Sequence, residues 1–519
     1  MSRILISLFI ILSFWSCSQG NKDTQYTSLK KHDIKYVFTP IETQGQFRLK
    51  VDLYFNPKES SQIILPNQWG NQSKLHQAIT DLKIHNLDTQ LISDHDESVK
   101  QIKPMRNRTI HLSYILKQDW VGKMQSNRNY YRPILQKNYM HLIGETFLIY
   151  PNWGLEEKIN VVFEWNLPEK WNFINSFNQN KNYQQRNITL NDLKYALFIG
   201  GDFRIYKKII KGDPVFFAIR GNWKFSDKKI NDLITTSIKT TRHFWKDYSF
   251  PHYLVSLIPT KGDCCYHAGT ALKNSIALFM TEGQYITADL KYIITHENFH
   301  TWNGQKMTRQ IPEENVFWFS EGFTNYYTRL LNLRSGLIDL NGYIKSYNQA
   351  LKDYYTHPQR LLQNRQVSNQ FWKNRNLYQL PYLKGDILAH LWNHQLKSNN
   401  LNLDDFMRLM LRSSISNQPT INNSNIVNNM NKLNTIDSNI DITRYIEQGN
   451  LFAQHINNMG KCIKLEMKNI NVTDNVQENH WGAISTYKKP SSKIIKFPQY
   501  KLNKKLYSEN KELCLAYFE

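Results

Sequence analysis

Apolar and polar positions alternate through much of the first 223 residues. Phe47, Leu49, Val51, Leu53 and Phe55 interleave with Arg48, Lys50, Asp52 and Tyr54, a period of two that puts one set on each face of a strand. The pattern returns at Ile110, Leu112 and Tyr114, and again at Val161, Phe163 and Trp165. Turn-forming stretches such as Leu65-Pro66-Asn67 and Tyr150-Pro151-Asn152-Trp153-Gly154 separate the runs. Many short strands punctuated in this way predict a β-sandwich over residues 33–225.

Near residue 228 the spacing becomes helical. Ile230, Leu233, Ile234, Ile238 and Trp245 share one face of a helix, and a short strand is expected from Tyr253 to Ile258. Further helices are expected at 289–303, 318–334, 383–397 and 402–412. Residues 226–460 thus form an α-rich domain with a few strands near its start. The Asn-rich stretch from Asn417 to Asn434 is expected to be an exposed loop. From 461 to 519 the chain returns to short strand-like pieces and forms a small C-terminal region. The fold class is multidomain α+β.

Composition narrows the partners. Apolar residues make up 41% and aromatics 13% of the 519 residues, which excludes a largely disordered chain. No apolar run approaches the ~20 residues of a membrane-spanning helix. Lys+Arg 65 against Asp+Glu 43 gives a net charge of +22, an excess that by itself suits an anionic partner. The lysines, however, are scattered and accompany heavy Asn and Ile usage, without any nucleic-acid motif. Nucleic acid is not an expected partner. The basic stretch Lys488 to Lys511 is a solvated face, or a patch for anionic lipid headgroups.

The N-terminus carries Arg3, an apolar run from Ile4 to Trp15, then Ser16 and Cys17, the layout of an export signal. A Cys after a small residue resembles the bacterial lipoprotein signal, which implies lipidation at Cys17 and a membrane partner through that anchor. Residues 1–17 would be the signal and 18–32 a tether. The expected location is the bacterial cell envelope, as a periplasmic or outer-membrane lipoprotein. Export permits disulfides. Cys462 with Cys514 is a possible pair, and Cys264 and Cys265 are expected to be small buried residues.

The chemistry concentrates in His296-Glu297-Asn298-Phe299-His300. On a helix, residues four apart lie one above the other, so both imidazoles can hold one zinc ion while Glu297 reaches a water on it. A hydrolytic zinc site takes three protein ligands. Glu321, in Trp318-Phe319-Ser320-Glu321-Gly322, lies far enough downstream to return on a second, antiparallel helix as the third ligand. Asn325, one turn beyond, could accept the second ring N–H of a ligand histidine.

His296 to Asn303, with Trp318 to Tyr327, resembles the glycyl aminopeptidase family of zinc metallopeptidases, in the thermolysin-like clan. The resemblance implies an N-terminal β-sandwich followed by a thermolysin-like α-rich catalytic domain, a Zn²⁺ cofactor, and peptide or protein substrates. Tyr382-Leu383-Lys384-Gly385 matches as well, and implies that Tyr382 donates to the transition-state oxyanion. Two departures stand out. Relatives carry Gly-Gly-x-Glu-His on the strand before the metal helix, with the Glu placed to bind a substrate ammonium. Here Gly269 falls on a glycine and is expected to bind substrate, but Ala271 and Leu272 stand where Glu and His should be. An ammonium then loses a charge-assisted contact of roughly 1.5–3 kcal/mol, so N-terminus recognition is altered. The residues after Gly460 are also short for the family's usual PDZ domain, which is expected to be missing or degenerate. The alternative to an enzyme is an envelope lipoprotein that keeps the scaffold as a binding module. Retention of His296, Glu297, His300, Glu321 and Tyr382 favours the enzyme.

Overall fold

The computed structural model describes residues 33–519 apart from 44, 59–60, 71, 105–107, 122–128, 180–182, 262–265, 416–419, 434–435, 454–455, 458 and 474–491. The expected signal, tether and Cys17, and the pair Cys264 and Cys265, lie outside the described residues.

Strand alternation in the first domain builds a six-stranded sheet. Its order is Tyr183–Thr189, Lys158–Trp165, Ile34–Thr43, Gln46–Phe55, Ile110–Leu116, Ile79–Ile84. Leu49, Val51, Leu53 and Phe55 all point to one buried face, while their neighbours remain partly or fully solvent-exposed. Aromatic rings fill the space behind this face, with Phe38 stacked on Trp165 at 3.9 Å between centroids. A four-stranded sheet, Tyr150–Pro151, Gln62–Ile64, Val99–Lys103 and Gln90–Ser93, belongs to the same layered domain.

A third sheet, Asn172–Asn175, Leu197–Gly201, Tyr139–Ile143 and Ile134–Gln136, joins this domain to the next. Ile143, Leu197 and Ile199 pack in one apolar cluster with Phe216, Leu254 and Phe279 of the following sheet. The buried His141 ring meets Ser256 Oγ across that junction at 3.1 Å.

The second domain opens with a five-stranded sheet in the order Arg204–Ile210, Asp213–Ile219, Tyr253–Thr260, Ser275–Thr281, His267–Leu272. This corrects the expected boundary at 225, because the hairpin over 204–219 belongs to the sheet of the second domain. Val215 to Ile219 pair in parallel with Tyr253 to Leu257, and the helix Asp227–Trp245 makes the crossover. Alternation identifies a strand but not the sheet that will accept it. His267–Leu272 is the edge strand, antiparallel to Ser275–Thr281.

Helices Ala288–Phe299, Gly322–Arg334, Leu340–Thr356, Gln379–Lys397 and Leu403–Arg412 complete the domain. The Asn-rich stretch is a second correction. Asn423–Asn431 is a helix, capped where the Asn422 side chain accepts the Asn425 N–H, with Ile426, Asn429 and Met430 buried. Two apolar residues at helical spacing suffice to dock it, and Asn is an effective N-cap.

The described part of the C-terminal region is an antiparallel pair, Ile463–Thr473 with Ser492–Leu502, and two short helices. Cys462 and Cys514 are joined as a disulfide. Asn348 grips the pair edge-on, exchanging two 2.8 Å hydrogen bonds with the Tyr500 backbone. No helix among the described residues is long and apolar enough to cross a membrane.

Candidate metal centre and cleft

Thr287 caps the helix Ala288–Phe299 by accepting the Leu290 N–H. Its inner face buries Leu290, Ile294 and Phe299, and Thr295 Oγ1 donates to Asn332 Oδ1 of the neighbouring helix at 2.7 Å. With that face fixed, His296 and His300 emerge together at the end of the helix. Glu321 sits where the short helix Phe317–Ser320 breaks into Gly322–Arg334. The glycine that follows it is required by packing. A Cβ on Gly322 would lie 2.4 Å from Gly385 Cα, and one on Gly385 would lie 1.6 Å from Trp318 O. The two backbones touch, and this contact sets Glu321 opposite the histidines.

The three donor atoms converge. His300 Nε2 lies 3.1 Å from His296 Nε2 and 3.1 Å from Glu321 Oε2, and His296 Nε2 lies 3.4 Å from the same oxygen. A cation about 2.0–2.1 Å from each donor fits above such a triangle. The donor chemistry favours one. His300 Nδ1 donates to Asn303 O at 2.8 Å, so its Nε2 carries a lone pair aimed at a second imidazole nitrogen and a carboxylate. Three buried donors facing one another repel unless a positive charge lies between them. Burial would raise the Glu321 pKa, but positive charge at this point, here that of the two histidines when protonated, outweighs it and holds the carboxyl well below its ordinary value.

Glu297 points into the cleft beside this triangle. Burial, reinforced by the Glu321 charge, raises its pKa to about 7, against the opposing pull of His296 and the Ala271 N–H. Gly269 makes room for it, since a Cβ there would stand 2.6 Å from Glu297 Cγ. The Gly269 carbonyl is held by the Tyr131 hydroxyl at 2.7 Å. The Tyr382 ring lies nearly parallel to His296, 6.4 Å away, and also lines the cleft.

Asn325 does not take the place expected of it. The second ring nitrogen of His300 goes to Asn303 O, and His296 Nδ1 is buried without a hydrogen-bond partner. One turn past Glu321, Asn325 instead faces the cleft beside Tyr292, whose hydroxyl meets its backbone carbonyl at 3.5 Å. The residue that does hold a ligand is Asn303. It is fully buried, and its side-chain amide donates to Ser320 O and Thr324 Oγ1, each at 3.0 Å. Asn303 thereby stitches the histidine helix to the turn that carries Glu321. Its place at the end of His-Thr-Trp-Asn was visible in the sequence, its role was not. Tyr131 was missed entirely, because it reaches the cleft from the first domain across 138 positions of chain.

The cleft has a volume of about 1110 Å³, and its walls include the edge strand, the metal helix, the helix Leu340–Thr356 and the stretch from Phe371 to Tyr382. Beneath it, Arg329 and Asp386 form a buried bidentate ion pair at 2.9 and 2.7 Å. Burial alone would raise Asp386, and the Arg329 guanidinium overrides it and lowers the carboxyl to about 2. His390 continues the network to Tyr343, whose hydroxyl is 2.9 Å from its Nε2.

The fold is a two-domain α+β architecture whose second domain carries a buried donor set that could hold a metal ion. An aminopeptidase N family protein from Idiomarina loihiensis superposes with a TM-score of 0.68 at 17% identity, over 85% of this chain and 80% of that one. The M1 zinc metallopeptidase of Deinococcus radiodurans superposes at 0.51 and 12% identity, over 80% and 93% of the two chains. A variant of the latter bound to a Tyr-Ser-Ala substrate superposes equally, at 0.51 and 12%, over 80% and 94%. At these identities the likeness is one of fold. No curated protein matches the chain. The segment that carries the site is more specific: residues 289–387 match the family model of the M61 glycyl aminopeptidases, the family that the motifs resemble.

Proposed function

We propose that this chain is a zinc-dependent peptidase of the glycyl aminopeptidase type, with altered N-terminus recognition, anchored in the bacterial cell envelope. The observation that carries the proposal is the buried His296, His300 and Glu321 triangle beside Glu297, at the wall of a cleft of about 1110 Å³. His296, His300 and Glu321 would hold a zinc ion, which when bound would supply Lewis acidity to a water and a peptide carbonyl. Glu297 takes the proton of the attacking water and returns it to the leaving amine. Tyr382, facing His296, donates to the oxyanion as it develops. Gly269, on the edge strand that lines the cleft, lets the Glu297 side chain pass because it has no Cβ there, and offers substrate its backbone.

The edge strand supports the altered recognition. It presents Gly269 and Ala271, neither of which can neutralise an ammonium, and Leu272 is buried in the apolar cluster behind it. Of the carboxylates nearest the metal triangle, Asp386 is already committed to Arg329, and Glu297 and Glu321 belong to the chemistry. Asp289, in the first turn of the metal helix, and Asp353, on Leu340–Thr356, also line the cleft. On this reading the substrates are peptides or proteins whose register the edge strand does not set through a free N-terminus. The anchor is proposed on Cys17 and the apolar run before it, and gives the membrane as partner.

The test is purification with metal analysis, followed by cleavage of matched peptides with free and acetylated N-termini. The proposal expects one tightly held zinc at the cleft and cleavage of both peptides at similar rates. Cleavage of free N-termini only would restore strict aminopeptidase action. Bound zinc with no turnover on any peptide would favour the binding module, a scaffold using the cleft without the chemistry.

A further inference from the structure

The six-stranded sheet carries a second convergence of metal-binding side chains, on the face turned away from the core. Asp52, His111 and His85 come from neighbouring strands, His85 standing just past the end of Ile79–Ile84. One donor atom of each lies within 4.8 Å of the other two. Backbone hydrogen bonds set the spacing. His85 N–H donates to His111 O at 2.9 Å, and His111 N–H donates to Asn86 Oδ1 at 2.9 Å. The Asn86 amide is itself tied to Thr109 O at 3.0 Å.

The side chains converge as the backbone dictates. The two imidazoles lie 4.2 Å apart between centroids, tilted by 21°, and Tyr54 stacks on His111 at 4.3 Å. His111 Nε2 stands 3.0 Å from Asp52 Oδ1, and His85 Nε2 stands 2.7 Å from Ser113 Oγ. Lys50 holds the other carboxylate oxygen, Oδ2, at 2.9 Å, which orients Oδ1 toward the rings. A His–Asp hydrogen bond accounts for one of these contacts. The Ser113 hydroxyl accounts for another, yet together they leave two imidazoles and a carboxylate oxygen within reach of one point on the sheet. A shared cation makes every member of the group a donor to one centre, and two imidazoles with a carboxylate and a hydroxyl suit a borderline divalent ion.

We propose that His85, His111 and Asp52 form a second divalent-cation site of zinc type, separate from the cleft, with Ser113 beside it. The site has a structural purpose. Ile79–Ile84 is the edge strand of the sheet, its register shifts between Thr80 and Lys83, and Asp81 has a φ of 52°. An ion held by His85, His111 and Asp52 clips the irregular edge to the two strands inside it.

Zinc equivalents after equilibrium dialysis of the full chain against the metal alone test the site. The wild type is expected to hold two equivalents. His85→Ala, an exposed position that leaves the core intact, should hold one and keep peptidase turnover unchanged. His296→Ala should also hold one, the other one, and a combined variant none. A wild type with a single equivalent that disappears in His296→Ala overturns the proposal, as do two equivalents that both survive His85→Ala. A single equivalent lost only in His85→Ala would uphold this site and remove the catalytic one, so the two fail distinguishably.

Discussion

The molecule brings two imidazoles and a carboxylate together twice, in surroundings that could hardly differ more. At His296, His300 and Glu321 the donors are buried on helices, and a fourth group, Glu297, is desolvated beside them. At His85, His111 and Asp52 the donors lie on a sheet surface, half in water, with a lysine on the carboxylate. Donor geometry alone therefore does not make a hydrolase. In the proposed reaction the helical cluster adds Glu297 as a base held in low dielectric, Tyr382 as a donor, and a cleft for substrate. The largest expected effect follows from that difference. Glu297→Gln should lower turnover by about 10²–10⁴-fold while zinc content is retained, whereas Asp52→Asn should leave turnover as it was. Single-turnover kinetics with metal analysis on both variants is the check, and undiminished activity in Glu297→Gln would remove its assigned role.

The second difference is support. The cleft rests on the Arg329–Asp386 pair, fully buried and continued through His390 to Tyr343. Removing one partner strands the other charge in the interior. Asp386→Ala should cost about 3–5 kcal/mol of stability, measured by urea unfolding. The exposed sheet cluster has no such dependence, and Lys50→Ala there should stay within about 0–1 kcal/mol. A mild effect of Asp386→Ala would mean that the helical cluster is no more rigidly held than the sheet one.

A finer contrast concerns the ligands themselves. Asn303 ties His300 to the turn before Glu321 through one carbonyl and one amide. Asn303→Ala should weaken zinc binding by about 10–100-fold, read by competition with a chelator. Thermal stability of the metal-free protein separates this from a general loss of packing. An unchanged zinc affinity with a lowered melting point would reduce Asn303 to a structural residue.

Much of this was legible in the chain, and the exceptions share a cause. Local periodicity found the helices Asp227–Trp245, Gln379–Lys397 and Leu403–Arg412 and the strands Gln46–Phe55 and Ile110–Leu116, because each has one face dedicated to a core. His296, Glu297 and His300 were visible because their relation is confined to one helical turn. The helix Leu340–Thr356 was overlooked although Leu340, Tyr343, Ile344, Tyr347 and Leu351 are buried at helical spacing, its tyrosines diluting the apolar signal. The hairpin over 204–219 was placed in the wrong domain, since partner choice in a sheet is a long-range matter. Asn325 and Asn303 show the same limit. Spacing suggested that Asn325 could meet a ligand ring, but the reversal of chain after His300 delivers the Asn303 carbonyl first.

The smallest effect tests depth of burial on the helix that carries Tyr382. Lys384, two residues past Tyr382, is buried with its ammonium on Leu362 O at 2.7 Å. Burial lowers its pKa from 10.5 to about 8. Between those values the unfolded chain holds a proton that the folded one has released, so stability rises with pH across that window and the gain is absent below it. From pH 7.5 to 9 this contributes about 1 kcal/mol. Lys384→Met should flatten that part of the rise, seen as a smaller shift of the urea midpoint between the two pH values than in the wild type. The same exchange at Lys50, whose side chain is 46% exposed on the sheet, is the control. Equal pH responses of wild type and Lys384→Met would mean that water reaches Lys384, and that the helical site is wetter than its packing implies.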